Sequence, residues 1–372
     1  MPKWLRTLVV PVAVLALVAV ACGGGGGTGD GDGTPAPECT SDLKVGVSLD
    51  VGGLGDKSFN DAAKRGLDKA IADGLVCADN TKFLESNAEG SNRDENTINL
   101  ADAGYNLVWA NGFAFSEDIA KIAPEYPDVD FAVQDGFAHF LFGSGEGGTG
   151  KANKNVLDVT FEENTGSYLV GIAAAMTTKT GTVGFLGGQE GTGLIEKFEA
   201  GYIAGAKSIN PDIKVTSQYI TQFPDFDGFE SPDRAKELAA AMYSEGADVV
   251  YAAAGLSGSG MFQAAAETSE ATGTKVWGIG VDSDQYNTVD PAVQQYVLTS
   301  MIKRVDNAVY NITQDVVNGT FEPGEHRYDL AADGVGYATS GGFVDDIKDQ
   351  LETAKAAIIA GDIVVPTDPT QA

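Results

Sequence analysis

The sequence predicts an α/β protein built from two doubly wound, parallel-sheet lobes, and three observations predict it. Short continuous apolar runs alternate with helix-period stretches through most of the chain, the pattern of parallel strands covered on both faces. The runs are bounded by Gly and Asp rather than by two-residue hairpin turns. A chain of 372 residues also holds about two domains at roughly 100–200 residues each.

At the N-terminus, Lys3 and Arg6 precede an uncharged apolar run from Leu8 to Ala21. That run is too short to span a bilayer but suits the apolar core of a signal peptide, expected at residues 1–21. It ends in Ala19-Val20-Ala21-Cys22, which is similar to a bacterial lipobox, where the Cys becomes the lipid-modified first residue. Ala19 stands where Leu is commonest, and ordinary cleavage after Ala21 is the alternative. Residues 23–37 are Gly, Asp, Thr, Pro and Ala only, so 22–38 reads as a flexible tether reaching roughly 20 Å. The expectation is a protein held at the extracytoplasmic face of the cell membrane by its lipid alone.

Strands are expected at 44–49, 82–84, 107–110, 130–134, 156–161, 182–186, 213–219, 248–254, 276–281 and 297–301. Helices lie between them. In the first, Phe59, Ala62, Ala63, Gly66, Leu67, Ala70 and Ile71 form one apolar stripe. In the helix at 231–246, Ser231 reads as the N-cap, Pro232 as the first helical residue and Gly246 as the stop. Cys39 precedes the first strand and Cys77 the second. In an oxidising compartment these two read as a disulfide, against the alternative of two buried thiols.

Acidic residues outnumber basic ones 53 to 24, a formal charge of −29. A nucleic-acid binder needs the opposite balance, so no nucleic-acid partner is expected. His139 and His326 are the only histidines, which argues against a His-based triad or metal site; no metal and no cofactor is expected. Gly52-Gly53-Leu54-Gly55-Asp56-Lys57-Ser58 fails as a phosphate loop, because Asp56 stands where Gly should precede the Lys. Gly255-Leu256-Ser257-Gly258-Ser259 misses the last Gly of a nucleophile elbow. Asp282-Ser283-Asp284 opens like a calcium loop but has Tyr286 where an oxygen ligand belongs. Nothing specific points to an enzyme.

Open α/β sheets bind ligands at the carboxyl ends of their strands. Asp50, Asp135 and Asp282 each follow a strand on a different unit. Singly each reads as a turn or cap residue; together they read as one acidic cleft.

Asp50-Val-Gly-Gly-Leu-Gly-Asp-Lys-Ser-Phe-Asn60 resembles the opening motif of the basic membrane protein (Bmp, PnrA-like) family of bacterial substrate-binding lipoproteins. The likeness continues through Phe131–Asp135, Phe161–Ala175, Gly184–Gly188, Phe198–Gly205, Gly246–Gly258, Ile279–Gln285 and Thr299–Asp306. The resemblance implies a type I periplasmic-binding-protein fold with a three-crossing hinge, and a nucleoside between the lobes. It puts lobe 1 at 39–160 plus 284–325 and lobe 2 at 161–283 plus 326–372. The strand at 297–301 and the helix at 305–317 then belong with the first sheet, and the tail from 328 with the second. The lobes are expected to close on the ligand about crossings near residues 160, 283 and 325.

The base is implied to stack between two Phe rings. One is Phe59, whose alternative is core packing on its helical stripe. The other is Phe229, with Phe226 and Phe223 close by. Asp50 and Asn60 are implied to address the base edge, and Asp135, Gly255, Asp282 and Lys303 to surround the ribose. Phe113 follows a strand and is expected to line the pocket. Ionised Asp accepts hydrogen bonds only, which suits ribose hydroxyls. Lys303 could equally pair with Asp282 or Asp306. The implied partners are a nucleoside and the permease and ATPase subunits of an ABC importer, with the binding protein a monomer. The competing readings are another small polar ligand such as a sugar or signal molecule, a nucleoside hydrolase, and a ligand-sensing subunit.

Overall fold

The computed structural model describes residues 39–143 and 150–372; the expected signal segment, Cys22 and most of the tether lie outside the described residues. The strands, in chain order, are β1 (Val45–Leu49), β2 (Thr81–Glu85), β3 (Leu107–Asn111), β4 (Asp130–Gln134), β5 (Val156–Phe161) and β6 (Thr182–Glu190). They continue as β7 (Lys214–Gln222), β8 (Val249–Ala253), β9 (Trp277–Asp282), β10 (Val297–Lys303), β11 (Gly324–Tyr328) and β12 (Val335–Tyr337). The helices are α1 (Phe59–Ala72), α2 (Arg93–Asp102), α3 (Ser116–Ile122), α4 (Glu163–Thr177) and α5 (Ile195–Ile209). They end with α6 (Pro232–Ser244), α7 (Gly258–Thr272), α8 (Val305–Asn318) and α9 (Lys348–Ile359).

Two six-stranded sheets result, ordered β11-β5-β4-β3-β1-β2 and β12-β10-β9-β8-β6-β7. Neighbours pair in parallel except β10 with β12. Every residue of β1, β3 and β8 is buried, which is why their sequences are unbroken apolar runs with no polar face. In the second unit α4 packs on α5 through glycines. A Cβ on Gly201 would stand 2.0 Å from the carbonyl oxygen of Asn164, and one on Gly205 2.0 Å from that of Tyr168.

The strand expected in the first sheet at 297–301 is β10, and it lies in the second. Thr299 aligns with Ile279 and Ile302 with Asp282. The chain does not leave after β9, because the following loop turns back on its own sheet: Gln285 donates its backbone N–H to Ser300 Oγ at 3.1 Å and its side-chain oxygen accepts from Val281 N–H at 3.0 Å. It leaves after Lys303, and α8 packs on α1, where a Cβ on Gly66 would meet the Asp306 carbonyl at 2.3 Å. Strand β11 then joins β5 in the first sheet, so the tail crosses back only beyond Tyr328. The crossings therefore follow residues 161, 303 and 328, not 160, 283 and 325.

Strands β11 and β12 were not expected. β11 reads Gly-Glu-His-Arg-Tyr with its middle exposed, an edge strand carrying no apolar signal. At α6, Pro232 takes the first helical position, but the Ser231 side chain makes no cap; its backbone N–H donates to Ser257 Oγ at 2.7 Å. Cys39 and Cys77 form a disulfide, their Cα atoms 5.5 Å apart, consistent with β1 and β2 being neighbours.

Candidate functional site

The carboxyl ends of β1, β3 and β4 face those of β6, β8, β9 and β10 across a cavity of about 640 Å³ including its opening. Asp50, Phe59, Asn60, Phe113, Asp135, Phe229, Gly255, Asp282 and Lys303, the nine residues singled out by sequence, all line it. It is an apolar hollow with a carboxylate cluster at each of two places.

The first cluster gathers around Lys303 at the end of β10. Its Nζ lies 2.7 Å from Asp135 Oδ2 and 3.1 Å from Glu163 Oε1, and the side chain is 2% exposed. Burial works to lower the Lys303 pKa, but the carboxylates of Asp135, Glu163 and Asp282 outweigh it and hold the ammonium charged. Lys303 pairs with neither Asp282 nor Asp306 in a salt bridge; Asp306 is held by Arg304, 2.8 Å away. Burial lifts the Asp135 carboxyl above its ordinary value against the pull of Lys303. Asp135 sits in the left-handed region at φ 56°, and Gln134 Nε2 donates to its other oxygen at 2.9 Å.

Asp282, also left-handed at φ 64°, accepts from Ser58 Oγ at 2.6 Å across the two sheets. Burial pushes its pKa up to about 6, with Lys303 and the Ser58 hydroxyl opposing. Further bonds cross the sheets here: Ser283 Oγ donates to the Ser58 carbonyl at 2.8 Å and Arg65 to Ser283 Oγ at 2.8 Å.

The second cluster is Asp50 with Arg93. Arg93 Nε and Nη2 donate to Asp50 Oδ1 at 2.8 and 2.5 Å, and Val51 N–H joins them at 2.8 Å. Burial raises the Asp50 pKa and Arg93 pulls it back. Asn60 is not free to address a ligand as expected. Its Oδ1 accepts from Asp50 N–H at 3.2 Å and Asn111 Nδ2 at 3.0 Å, and its Nδ2 donates to the Val51 carbonyl at 3.2 Å. It holds the loop that carries Asp50. Asp56 does similar service at the start of α1, accepting N–H bonds from Ser58, Asn60 and Asp61, and so places Phe59 at the cavity wall.

Phe59 faces the cavity with Lys303 Nζ 5.5 Å from its ring centroid. Of the three neighbouring rings after β7, Phe229 is the one in the cavity. Phe226 lies over the Arg93 guanidinium at 4.3 Å, and Phe223 is exposed. Gly255 needs its φ of 53°, and Phe229 lies close enough that an added Cβ would sit 3.4 Å from its carbonyl oxygen.

Sequence reasoning missed Glu163 and Arg93. Glu163 stands inside the motif Phe161-Glu-Glu-Asn-Thr-Gly at the first position of α4, a signal that was present but unread. Arg93 has no such signal, since it reaches Asp50 from a helix 43 residues further on.

The family model described as ABC transporter substrate-binding protein PnrA-like matches residues 43–369. The ABC transporter nucleoside-binding protein BmpA of Lactococcus lactis is 35% identical over 336 residues, 88% of this chain and 90% of that protein. The CD4+ T-cell-stimulating antigen of Listeria monocytogenes is 34% identical, over 89% of this chain and 90% of its own. Among solved structures, an ABC transporter solute-binding protein from Aeropyrum pernix superposes with a TM-score of 0.71 at 28% identity, covering 88% of this chain and 94% of that one.

Proposed function

The chain belongs to the PnrA-like (Bmp) family of ABC transporter substrate-binding proteins, and on that premise we propose that its ligand is a nucleoside, with purine nucleosides the best fit. The observation that carries this is the make-up of one cavity: two Phe rings, Phe59 and Phe229, and acceptor-only carboxylates, Asp135 and Asp282, set beside a charged Lys303. A base stacked on aromatic rings gains about 1–3 kcal/mol. A hydroxyl donating to a carboxylate contributes about 1.5–3 kcal/mol. A nucleoside uses both kinds of group, joined at the span of one glycosidic bond.

The Lactococcus lactis relative is named for nucleoside binding, which supports the same reading. The two sheets and their three crossings suit capture by closure of one unit on the other. Release would be to the permease and ATPase of an importer. We place the protein as a monomer tethered through a lipid on Cys22, which mass spectrometry of the N-terminal peptide from membranes tests directly: an unmodified N-terminus at Cys22 would contradict it.

The function itself is tested by a thermal-shift panel of nucleosides, free bases, pentoses, hexoses and amino acids. A ligand at 100 times its Kd stabilises by about 2.7 kcal/mol, a shift readily read. Nucleosides alone should give it. A pentose or hexose shifting the melt as strongly would transfer the assignment to sugars.

A further inference from the structure

Arg93 is the one cation in the site's surroundings that touches both halves of the binding apparatus without lining the cavity. It opens α2, is 7% exposed, and grips only one oxygen of Asp50. Asp50 Oδ2 accepts no bond from the described residues, and Asp50 lines the cavity. Oδ2 is packed from one side by Gly112, on which a Cβ would stand 2.4 Å away. Room for the guanidinium is made by Gly90, at φ +65°, whose absent Cβ would lie 2.2 Å from it.

The opposite face of the same guanidinium carries the Phe226 ring at 4.3 Å. Phe226 and Phe229 are the first and last residues of a single 3₁₀ turn, where residues three apart fall on one side. That turn is rigidly seated. Its preceding carbonyl, at Asp225, accepts from Thr221 Oγ1 at 2.6 Å and Gln189 Nε2 at 2.8 Å. A Cβ on Gly228 would stand 1.9 Å from the Gly188 carbonyl. Docking Phe226 therefore docks Phe229. A second bond, Gly52 N–H to Glu230 Oε2 at 3.2 Å, fastens the other end of the turn to the loop after Asp50.

We propose that Arg93 is a positioning residue for ligand binding, which aims Asp50 Oδ2 into the cavity and seats the Phe226–Phe229 turn so that the Phe229 ring covers the same ligand. The proposal rests on the nucleoside reading above. Asp50 Oδ2 offers an acceptor only, so the base edge that meets it must bring an N–H. Inosine has one; purine riboside, with the same ribose and ring system, has neither it nor an exocyclic amine. The cation–ring contact with Phe226 exists only while the two units are together, so it acts on escape rather than on encounter.

The test is calorimetry and stopped-flow fluorescence with inosine and purine riboside on the wild type, Arg93→Met, Arg93→Lys and Phe226→Leu. The wild type should prefer inosine by about tenfold or more. Arg93→Met should erase that preference and speed inosine dissociation by about tenfold, while Arg93→Lys restores part of the preference. Phe226→Leu should speed dissociation, keep association within about twofold and keep the preference, because Asp50 is still held. If Arg93→Met does not fold, Arg93→Lys and Phe226→Leu carry the test.

Equal weakening of both ligands in the Arg93 variants, with the preference intact, would reduce Arg93 to a structural residue and overturn the proposal. So would a Phe226→Leu variant that slows association and leaves dissociation alone. A wild type that binds purine riboside as well as inosine overturns the role of Asp50. A wild type that binds neither overturns the nucleoside reading, and the proposal with it.

Discussion

The two carboxylate clusters of the cavity are built from the same residue types but balanced differently. Around Lys303, a single buried ammonium faces Asp135 and Glu163 directly and feels Asp282 as well. Around Arg93, a guanidinium faces one carboxylate, Asp50, through two N–H bonds to one oxygen. The first cluster keeps excess negative charge, so one member, Asp282, is pushed to a pKa of about 6. The second is closer to neutral and leaves one carboxylate oxygen for use. A ligand with hydroxyls suits the first; a ligand with a flat N–H edge suits the second.

The largest way to break this comparison is to remove the cations in turn. Lys303→Met leaves Asp135 and Glu163 buried without a partner, and removing one member of a buried pair costs about 3–5 kcal/mol. Urea unfolding should register that loss, and nucleoside binding should vanish. Arg93→Met strands one carboxylate, so its unfolding free energy should fall by less. If Arg93→Met proves the more damaging, the two clusters are not balanced as described.

Next in size, Asp282→Ala should weaken nucleoside binding by about ten- to a hundredfold and change free-base binding little. Phe59→Ala should weaken nucleoside and base alike, since stacking serves both. Calorimetry on the matched pair of ligands separates the cases. A free base that loses as much as its nucleoside in Asp282→Ala would place Asp282 at the base edge.

Acidity sharpens the comparison further. The Asp282 pKa is raised in the folded chain from 3.8 to about 6, so between those values the folded state holds the extra proton. This group therefore adds to the empty protein's stability at low pH, and that contribution is lost as pH rises through about 6. Hydroxyl binding needs the ionised form, so nucleoside affinity should run the other way, falling by about tenfold per pH unit below 6 and level above 7. Asp282→Asn should flatten the profile. A wild-type affinity constant from pH 7 to pH 5 would contradict the environment assigned to Asp282.

Much of this was legible beforehand, for physical reasons that differ by residue. Strands such as β1, β3 and β8 are buried throughout, and a fully buried strand writes itself as an unbroken apolar run. Asp50, Asp135 and Asp282 were legible because the topology of a parallel sheet sends every strand end to the same edge. Sheet membership was not legible for β10. Its pairing with β9 is decided by the Gln285–Ser300 contacts, and periodicity carries no such information. β11 was invisible because an exposed edge strand needs no apolar residues. Asn60 was misread in role though not in place: its amide chemistry fits a base edge, but the backbone of Asp50 and Val51 claims it first.

The smallest expected effect is a control on both clusters. The Cys39–Cys77 bridge closes a loop with a sequence separation of 38 at the far edge of the first sheet. Reducing it should lower stability by up to about 4 kcal/mol in the chain-entropy account. Nucleoside affinity below the unfolding range should stay within about twofold, by calorimetry with and without reductant. A larger change would mean that the bridge reaches the site.

The central claim is that one cavity reads a base and a ribose together and has no place for a phosphate. Five carboxylates line or border it, Asp50, Asp56, Asp135, Glu163 and Asp282, against Lys303 and Arg93. The chain as a whole carries a net charge of −29. Titrating the wild type at pH 7.5 with a purine nucleoside, its free base and its 5′-monophosphate tests the claim most directly. The account predicts the nucleoside to bind tightest, the base next and the monophosphate weakest. Equal affinity for nucleoside and monophosphate, or no heat from the nucleoside at all, would contradict it.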